Sequence, residues 1–462
     1  MDFKVIDRWL EEAMPEFEKD LAELVSYNSV EAPAEDGAPF GREVAGALES
    51  AVSMAEKFGF SVRNEAYYGV ADWGDAEGSK DGFMAVLGHL DVVPALPEDW
   101  SHDPFEMTAV GDRLYGRGTM DDKGPMLAAI YAAASLKAAG YEPRVPLRFI
   151  FGTNEETGMA GVARYVQTES MPLGGFTPDA EWPVVIGEKG ICHFTLSAEW
   201  DEGEGGSLRL VSADSGTAAN IVPAKAKAVF EIGEGAELSF PAEDGIETVL
   251  DGEQIVISAS GVAAHGSTPE QGDNALTKLL RYLARLDFAP AGAKAFLSKL
   301  CALTQDDKNG ADMGLAGSDE YSVTTVSPNV LHVSGSCGSL LCDMRFRITD
   351  EPEKYEKLLA GLAEKEGFTL DAGHVTRPLF VREDSDLVQG LLSAYREVTG
   401  DMHEPLIIGG GTYAKVIPGM VAFGCEPIDE PSRAHQADEY AERGELLRAA
   451  KVYARAIYNI TK

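Results

Sequence analysis

Five short stretches of the 462-residue chain gather histidines and carboxylates: GHLDVVP (88–94), GTMDDKGP (118–125), TNEETG (153–158), TPDAEWP (177–183) and AHQADEY (434–440). Taken singly, each has an ordinary explanation. A His-x-Asp is usually a hydrogen-bonded pair, acids in a glycine-flanked turn are usually solvated, and Glu-Glu-Thr suits the start of a helix. Together they supply the mixed nitrogen and oxygen donor set that zinc, manganese or cobalt accepts. Two such ions about 3.5–4 Å apart need one anionic group between them. Because the cations repel, that group must be a rigidly held carboxylate. Asp121 meets the requirement, since glycines and a following Lys-Gly-Pro constrain its backbone, and Asp122 would flank it without sharing the ions. Adjacent Glu155 and Glu156 would divide the work, one giving its lone pairs to an ion and the other moving a proton.

The elements that must position these groups alternate between helix and strand in the first 190 residues or so. Apolar positions fall at helical spacing over 5–25 and again over 43–58. FMAVLGH (83–89) and PLRFIFGTN (146–154) read as strands, and the segment 124–140 between them as a helix stopped by Gly140. This alternation predicts an α/β layer with a largely parallel sheet, in which ligands bind at the carboxyl ends of strands. His89 and Glu155 lie where such strands run out. Beyond about residue 190 the runs HFTLSAEW, SLRLVSA, KAVFEIG and NVLHVSGSCGSLLCDMRFRIT read as antiparallel strands, with helices over 273–287 and 351–365. From about 383 the helix-then-strand style returns. The expectation is therefore a discontinuous catalytic domain, 1–190 plus 382–462, with a strand-rich domain over 191–381 inserted into it.

Length and composition, 45% hydrophobic and 25% charged, are those of a globular protein of two or three domains. A formal charge of −37 argues against nucleic acid or an anionic membrane as partner. Apolar runs such as MLAAIYAAASL (126–136) are too short to span a bilayer, and the acidic, helix-patterned N-terminus is no signal peptide, so a cytoplasmic protein is expected. Cys192, Cys301, Cys337, Cys342 and Cys425 form no CxxC pair and are expected to be free. No Gly-x-Ser-x-Gly elbow supports a serine hydrolase. The GGGTYAK run (409–415) lacks the Lys-Ser/Thr ending of a phosphate loop, and Gly410 and Gly411 instead suit close backbone approach to a substrate carboxylate.

The ordered set from GHLDVVP through DWSHDPFEMTAVGDRLYGRGTMDDKGP and TNEETG to GGGTYAKVIPGMVAFG and HQADE covers most of the chain. It resembles the dinuclear zinc metallopeptidase family of acetylornithine deacetylase, succinyl-diaminopimelate desuccinylase, aminoacylase and glutamate carboxypeptidase. Within that family it is most similar to the PepV-type (Xaa-His, carnosinase-like) bacterial dipeptidases. The resemblance implies a catalytic domain whose central, mostly parallel sheet is flanked by helices, and an α+β lid built of ferredoxin-like halves. It implies that His89 and Asp179 hold one ion, Glu156 and His435 the other, and that Asp121 bridges them through a residue followed by a cis peptide. Glu155 would be the general base, and Asp91 would orient a histidine ligand. From the lid, His265 would stabilise the oxyanion, Asn220 would contact substrate, and Arg345, with Arg347 as competitor, would clamp a substrate carboxylate once the lid closes. His102, His193, His332, His374 and His403 are assigned to structural or surface positions.

The expected activity is hydrolysis of dipeptides bearing a free C-terminal carboxylate, through a water activated by two divalent ions and a glutamate base. Zinc is the first choice of ion, with manganese or cobalt as alternatives. An N-acyl amino acid deacylase of the same family is the alternative activity, and a non-catalytic metal or peptide binder a further one. The long insert resembles the monomeric dipeptidase arrangement, so a monomer is expected, with a dimer as the alternative.

Overall fold

A computed structural model describes residues 1–462 except Glu202, Glu204, Gly205, 234–239, His374 and Asp429. His374, assigned to a structural or surface position, thus lies outside the described residues. The chain divides into two units, Met1–Gly187 with Val381–Lys462, and Glu188–Phe380.

The first unit is organised by a sheet whose strands run in the order Ser61–Asn64, Tyr68–Trp73, Leu147–Gly152, Met84–His89, Gly174–Thr177, Met420–Ala422 and Val185–Glu188. Its middle is parallel: Met84–His89 pairs in parallel with both Leu147–Gly152 and Gly174–Thr177, and Met420–Ala422 continues in the same sense beside Gly174–Thr177. One flank is antiparallel because Ser61–Asn64 and Tyr68–Trp73 form a hairpin with no room for a crossover helix, and at the other Val185–Glu188 runs antiparallel to Met420–Ala422. The parallel strands are buried along nearly their whole length, in keeping with their continuous apolar runs.

Helix Lys123–Ala138 is apolar almost all round and is buried from Lys123 to Leu136, with its alanines favouring the helix and Leu127, Ile130 and Leu136 each contributing about 1.5–3 kcal/mol through burial. Lys123 itself is buried because its Nζ donates to the carbonyls of Leu24 (2.9 Å) and Tyr27 (3.0 Å), closing the carbonyl end of helix Phe3–Ser26. A capping box opens the C-terminal helix Arg443–Thr461, and Ser385 and Gly400 (φ +71°) delimit helix Asp386–Thr399.

The second unit is built on one antiparallel sheet, in the order Ile246–Asp251, Gln254–Ser260, Lys225–Ile232, Leu208–Ser215, Thr325–Ser334, Cys337–Phe346, Gly190–Glu199 and Thr369–Asp371. Alternation decides which face is covered: Ala226, Ala228 and Phe230 are buried while Lys225, Lys227 and Glu231 are exposed. The buried face shares one core with helices Ala275–Leu283, Ala291–Leu303 and Pro352–Glu366. Asn274 caps the first of these through Leu276 and Thr277 N–H and also donates to the Pro328 carbonyl, fixing helix to sheet. Among the described residues no helix is long and apolar enough to cross a membrane, and the five cysteines form no disulfide.

Candidate metal centre and active site

Three parallel strands deliver their carboxyl ends to one place. Register pairs His89 with Gly152, so His89 ends one strand at the level where the next continues into Thr153, Asn154 and Glu155. Gly174–Thr177 ends two residues before Asp179. Asp121 arrives from the loop preceding helix Lys123–Ala138, and His435, held at φ +63°, from the loop after strand Cys425–Glu426.

These residues meet as two groups sharing one carboxylate. His89, Asp121 and Asp179 can each place a ligand atom within 4.8 Å of the others, and so can Asp121, Glu156 and His435. Asp121 Oδ1 lies 2.9 Å from His89 Nε2, and its Oδ2 lies 3.0 Å from His435 Nε2. Asp179 Oδ2 is 3.7 Å from His89 Nε2, while Glu156 Oε2 is 3.1 Å from His435 Nε2. The peptide between Asp121 and Asp122 is cis. Asp122 turns away: its Oδ2 accepts from His89 N at 3.2 Å, tight against Gly88, where a Cβ would stand 2.5 Å from that oxygen.

The electrostatics follow from burying several acids together. Burial, joined by the Asp121 charge, pushes Asp179 up to about 8. Burial also raises Glu155 well above the carboxylate range, with His89 opposing and Asp179, Glu156 and Asp121 adding to the rise. Hydrogen bonds to Asp121 and Glu156 raise His435 to about 10. For Asp121 itself burial is outweighed by the two histidines, which hold it far below the usual range. Crowded buried carboxylates of this kind need compensating positive charge. The donors present, two imidazole nitrogens and carboxylate oxygens arranged around one shared group, fit a pair of divalent cations.

The supporting contacts are specific. His89 Nδ1 lies 2.8 Å from the backbone carbonyl of Asp91 and 3.7 Å from its Oδ1, so the orienting acceptor is mainly the main chain. The Asp91 carboxylate reaches the other side of the site, where Oδ2 accepts from Glu156 N at 3.1 Å. Asn154 shapes the loop that follows: its Oδ1 accepts from Ala160 N, and its Nδ2 donates to Glu31 and Thr157. Gly410 and Gly411 precede Thr412 and the fully buried Tyr413, whose ring packs where a Cβ on Gly152 would stand only 2.3 Å away. A Cβ on Gly410 would meet nothing nearer than Ile408 Cδ1 at 3.9 Å, so the chain there faces open space.

Glu439, given no role by the sequence, braces the Asp121 loop. Glu439 Oε1 accepts from the N–H groups of Gly118 (3.0 Å), Met120 (2.9 Å) and Asp121 (3.2 Å), and its Oε2 meets Arg117 Nη1 at 2.6 Å. One buried side chain thereby fixes the backbone carrying Asp121 from a position four residues beyond His435. Asp438, next to it, holds a different segment, accepting from Ser101 N and Oγ ahead of strand Thr108–Val110.

In the second unit Asn220, His265 and Arg345 come together. Strands Ile221–Val222 and Ala264–His265 pair with Ile221 opposite His265, and Gly266 N donates to the Asn220 carbonyl at 2.7 Å. Ser267 donates to His265 Nδ1 from its backbone N–H (3.1 Å), with its Oγ at 2.7 Å. An acceptor Nδ1 places the proton of the neutral ring on Nε2. Burial and the nearby Arg345 charge lower the His265 pKa, favouring that neutral form. Arg345 is buried beside Asp343, whereas Arg347 is bound to Asp350 and the Ser318 carbonyl. Of the histidines assigned to structural or surface positions, His332 pairs with Asp214 and His403 with Asp401, His102 packs against Tyr115, and His193 faces Asp343 at 3.4 Å.

The pattern of Peptidase family M20/M25/M40 matches residues 85–459. The chain is 34% identical over 460 residues to the Beta-Ala-Xaa dipeptidase of Lactobacillus delbrueckii subsp. lactis, covering 96% of each. In fold it is similar to human carnosine dipeptidase 1 (TM-score 0.61, 17% identity, covering 100% of this chain and 99% of that one). It is also similar in fold to the aminoacylhistidine dipeptidase of Vibrio alginolyticus (TM-score 0.62, 16% identity, 96% of each chain). Since the family pattern runs through every strand and loop that carries the paired histidine and carboxylate groups, the chain belongs to peptidase family M20/M25/M40.

Proposed function

We propose that the chain is a metallodipeptidase that hydrolyses dipeptides with a free C-terminal carboxylate, acting as a monomer in the cytoplasm, where five unbridged cysteines stay reduced. The observation that carries the reading is the shared carboxylate: the two Asp121 oxygens face different histidines at 2.9 and 3.0 Å, each within its own group of donors. The name of the Lactobacillus relative and its coverage support the choice of dipeptides.

His89, Asp179 and Asp121 would hold one ion and Glu156, His435 and Asp121 the other, with zinc first and manganese or cobalt suiting the same donors. Bound there, two divalent ions supply polarisation of the scissile carbonyl and a lowered pKa for water. The protein's own part is proton handling and orientation. The Glu155 carboxylate, whose proton affinity burial raises, takes a proton from the attacking water and passes it to the departing amine. Asp91 holds the Glu156 backbone beside it. His265 offers Nε2–H to the developing oxyanion. Arg345 and Asn220 engage the substrate, the guanidinium taking its carboxylate, and Gly410 and Gly411 would allow close backbone approach to it.

The test is hydrolysis of Ala-His and Leu-Leu against their N-acetylated forms, after loading with zinc, manganese or cobalt. The dipeptides should be cleaved and the acetylated forms left largely intact. Preference for the acetylated forms would make the chain an N-acyl amino acid deacylase, and cleavage of neither would make it a binder.

A further inference from the structure

Strand Cys337–Phe346 places Asp343 and Arg345 two residues apart, and so on one face of the sheet. Asp343 lies opposite His193 on one neighbouring strand and Ser327 on the other, and it has no solvent exposure. A carboxylate so buried must be paired. Both its oxygens take the Arg345 fork, Oδ1 at 2.7 Å from Nε and Oδ2 at 3.0 Å from Nη2. The bidentate geometry fixes the plane of the guanidinium as well as its position.

The same carboxylate meets the turn that carries His265. A Cβ built on Gly266 would stand 2.4 Å from Asp343 Oδ2 and 3.1 Å from its Cγ, so a residue without a side chain is required there. Gly266 N in turn binds the Asn220 carbonyl at 2.7 Å, and Thr325 Oγ1 reaches the Ser267 carbonyl at 3.4 Å. Asn329, on the strand beside Asp343, donates to the Ala219 carbonyl at 2.5 Å and so ties the Asn220 loop to the same sheet. The arginine and both loops are therefore referenced to Asp343 and its neighbours.

We propose that Asp343 is a positioning residue that sets the Arg345 guanidinium, and through it the preference for a free C-terminal carboxylate. The inference rests on the reading of Arg345 as the carboxylate clamp. Asp343 does not touch substrate. It acts through the arginine and through its close packing against Gly266.

The experiment compares kcat/KM for a dipeptide and for its C-terminal amide in the metal-loaded enzyme, its Asp343→Asn, Arg345→Met and Gly266→Ala variants, and the Asp343→Asn/Arg345→Met double variant. The readout is the ratio of the two values, because loss of His265 function or partial misfolding lowers both substrates alike and leaves the ratio unmoved. Arg345→Met should reduce the ratio by about tenfold or more, the scale of a lost charge-assisted contact. Asp343→Asn and Gly266→Ala should move it the same way, chiefly through KM for the acid, and the double variant should be no worse than Arg345→Met. A normal ratio in Asp343→Asn and Gly266→Ala, with Arg345→Met impaired, overturns the role of Asp343 alone. So does a double variant in which the two effects multiply. A normal ratio in Arg345→Met overturns the clamp itself and the inference with it.

Discussion

Replacing Glu439 by glutamine tests whether the brace behind Asp121 acts as the geometry requires. Arg117 and Glu439 are 2% and 1% exposed and meet at 2.6 Å. Glutamine keeps an oxygen for the Gly118, Met120 and Asp121 N–H groups but removes the charge facing the guanidinium. Removing one partner of a buried pair costs about 3–5 kcal/mol, because the other charge is left uncompensated. Arg117 retains its place over the Trp100 ring, 5.0 Å from the centroid, which offsets only about 1 kcal/mol of that. Urea unfolding of chelator-treated protein should therefore show Glu439→Gln and Arg117→Met each destabilised by about 3 kcal/mol or more. The double variant should fall well short of the sum, since no lone charge remains. Divalent-ion titration by calorimetry should show about 10- to 100-fold weaker binding in Glu439→Gln, as when a residue orienting a ligand is lost. Single variants within about 1 kcal/mol of wild type, or strictly additive losses, would refute the reasoning.

Other outcomes follow from the same geometry. Glu155→Gln should retain both ions by elemental analysis while lowering turnover by at least ~10²-fold, and near-normal turnover would remove Glu155 from proton transfer. Gly124→Ala puts a Cβ 2.1 Å from the Thr119 carbonyl oxygen, so thermal unfolding should reveal a loss of about 1–3 kcal/mol or more, together with weaker ion binding through the displaced Asp121 loop. Ser267→Ala removes the hydroxyl beside His265 Nδ1 and should lower kcat several-fold with little change in KM; an unchanged kcat would detach that hydroxyl from catalysis.

Which parts of the molecule were legible in the sequence depends on how far apart the cooperating residues lie. His89, Asp121, Glu155, Glu156, Asp179 and His435 each sit in a short run whose composition is unusual where it stands, at a strand end or in a glycine-flanked turn. Their supports carry no sign of what they pair with. Arg117 and Glu439 are 322 positions apart, and Tyr413 meets Asn154 across 259. Neither spacing nor periodicity links such pairs; only folding does. Asp343 lies within the strand run NVLHVSGSCGSLLCDMRFRIT, yet its work depends on Gly266, a contact without any sequence signal. His193 carries no sequence sign of its partner; only strand pairing sets it opposite Asp343. In the fold, the apolar runs over 83–89 and 146–154 mark parallel strands, but one antiparallel flank depends on the hairpin that joins Ser61–Asn64 to Tyr68–Trp73. Helix Ala291–Leu303 is not marked in the sequence, because its alanines, glycine and lysines blur the apolar stripe that would mark it.

The central claim is that one carboxylate serves two ions, and diffraction tests it most directly. Crystals grown with zinc or manganese and measured at the metal's absorption edge should show two anomalous peaks about 3.5–4 Å apart, each contacted by a different oxygen of Asp121. A single peak, or two peaks that leave either Asp121 oxygen without an ion, would contradict it.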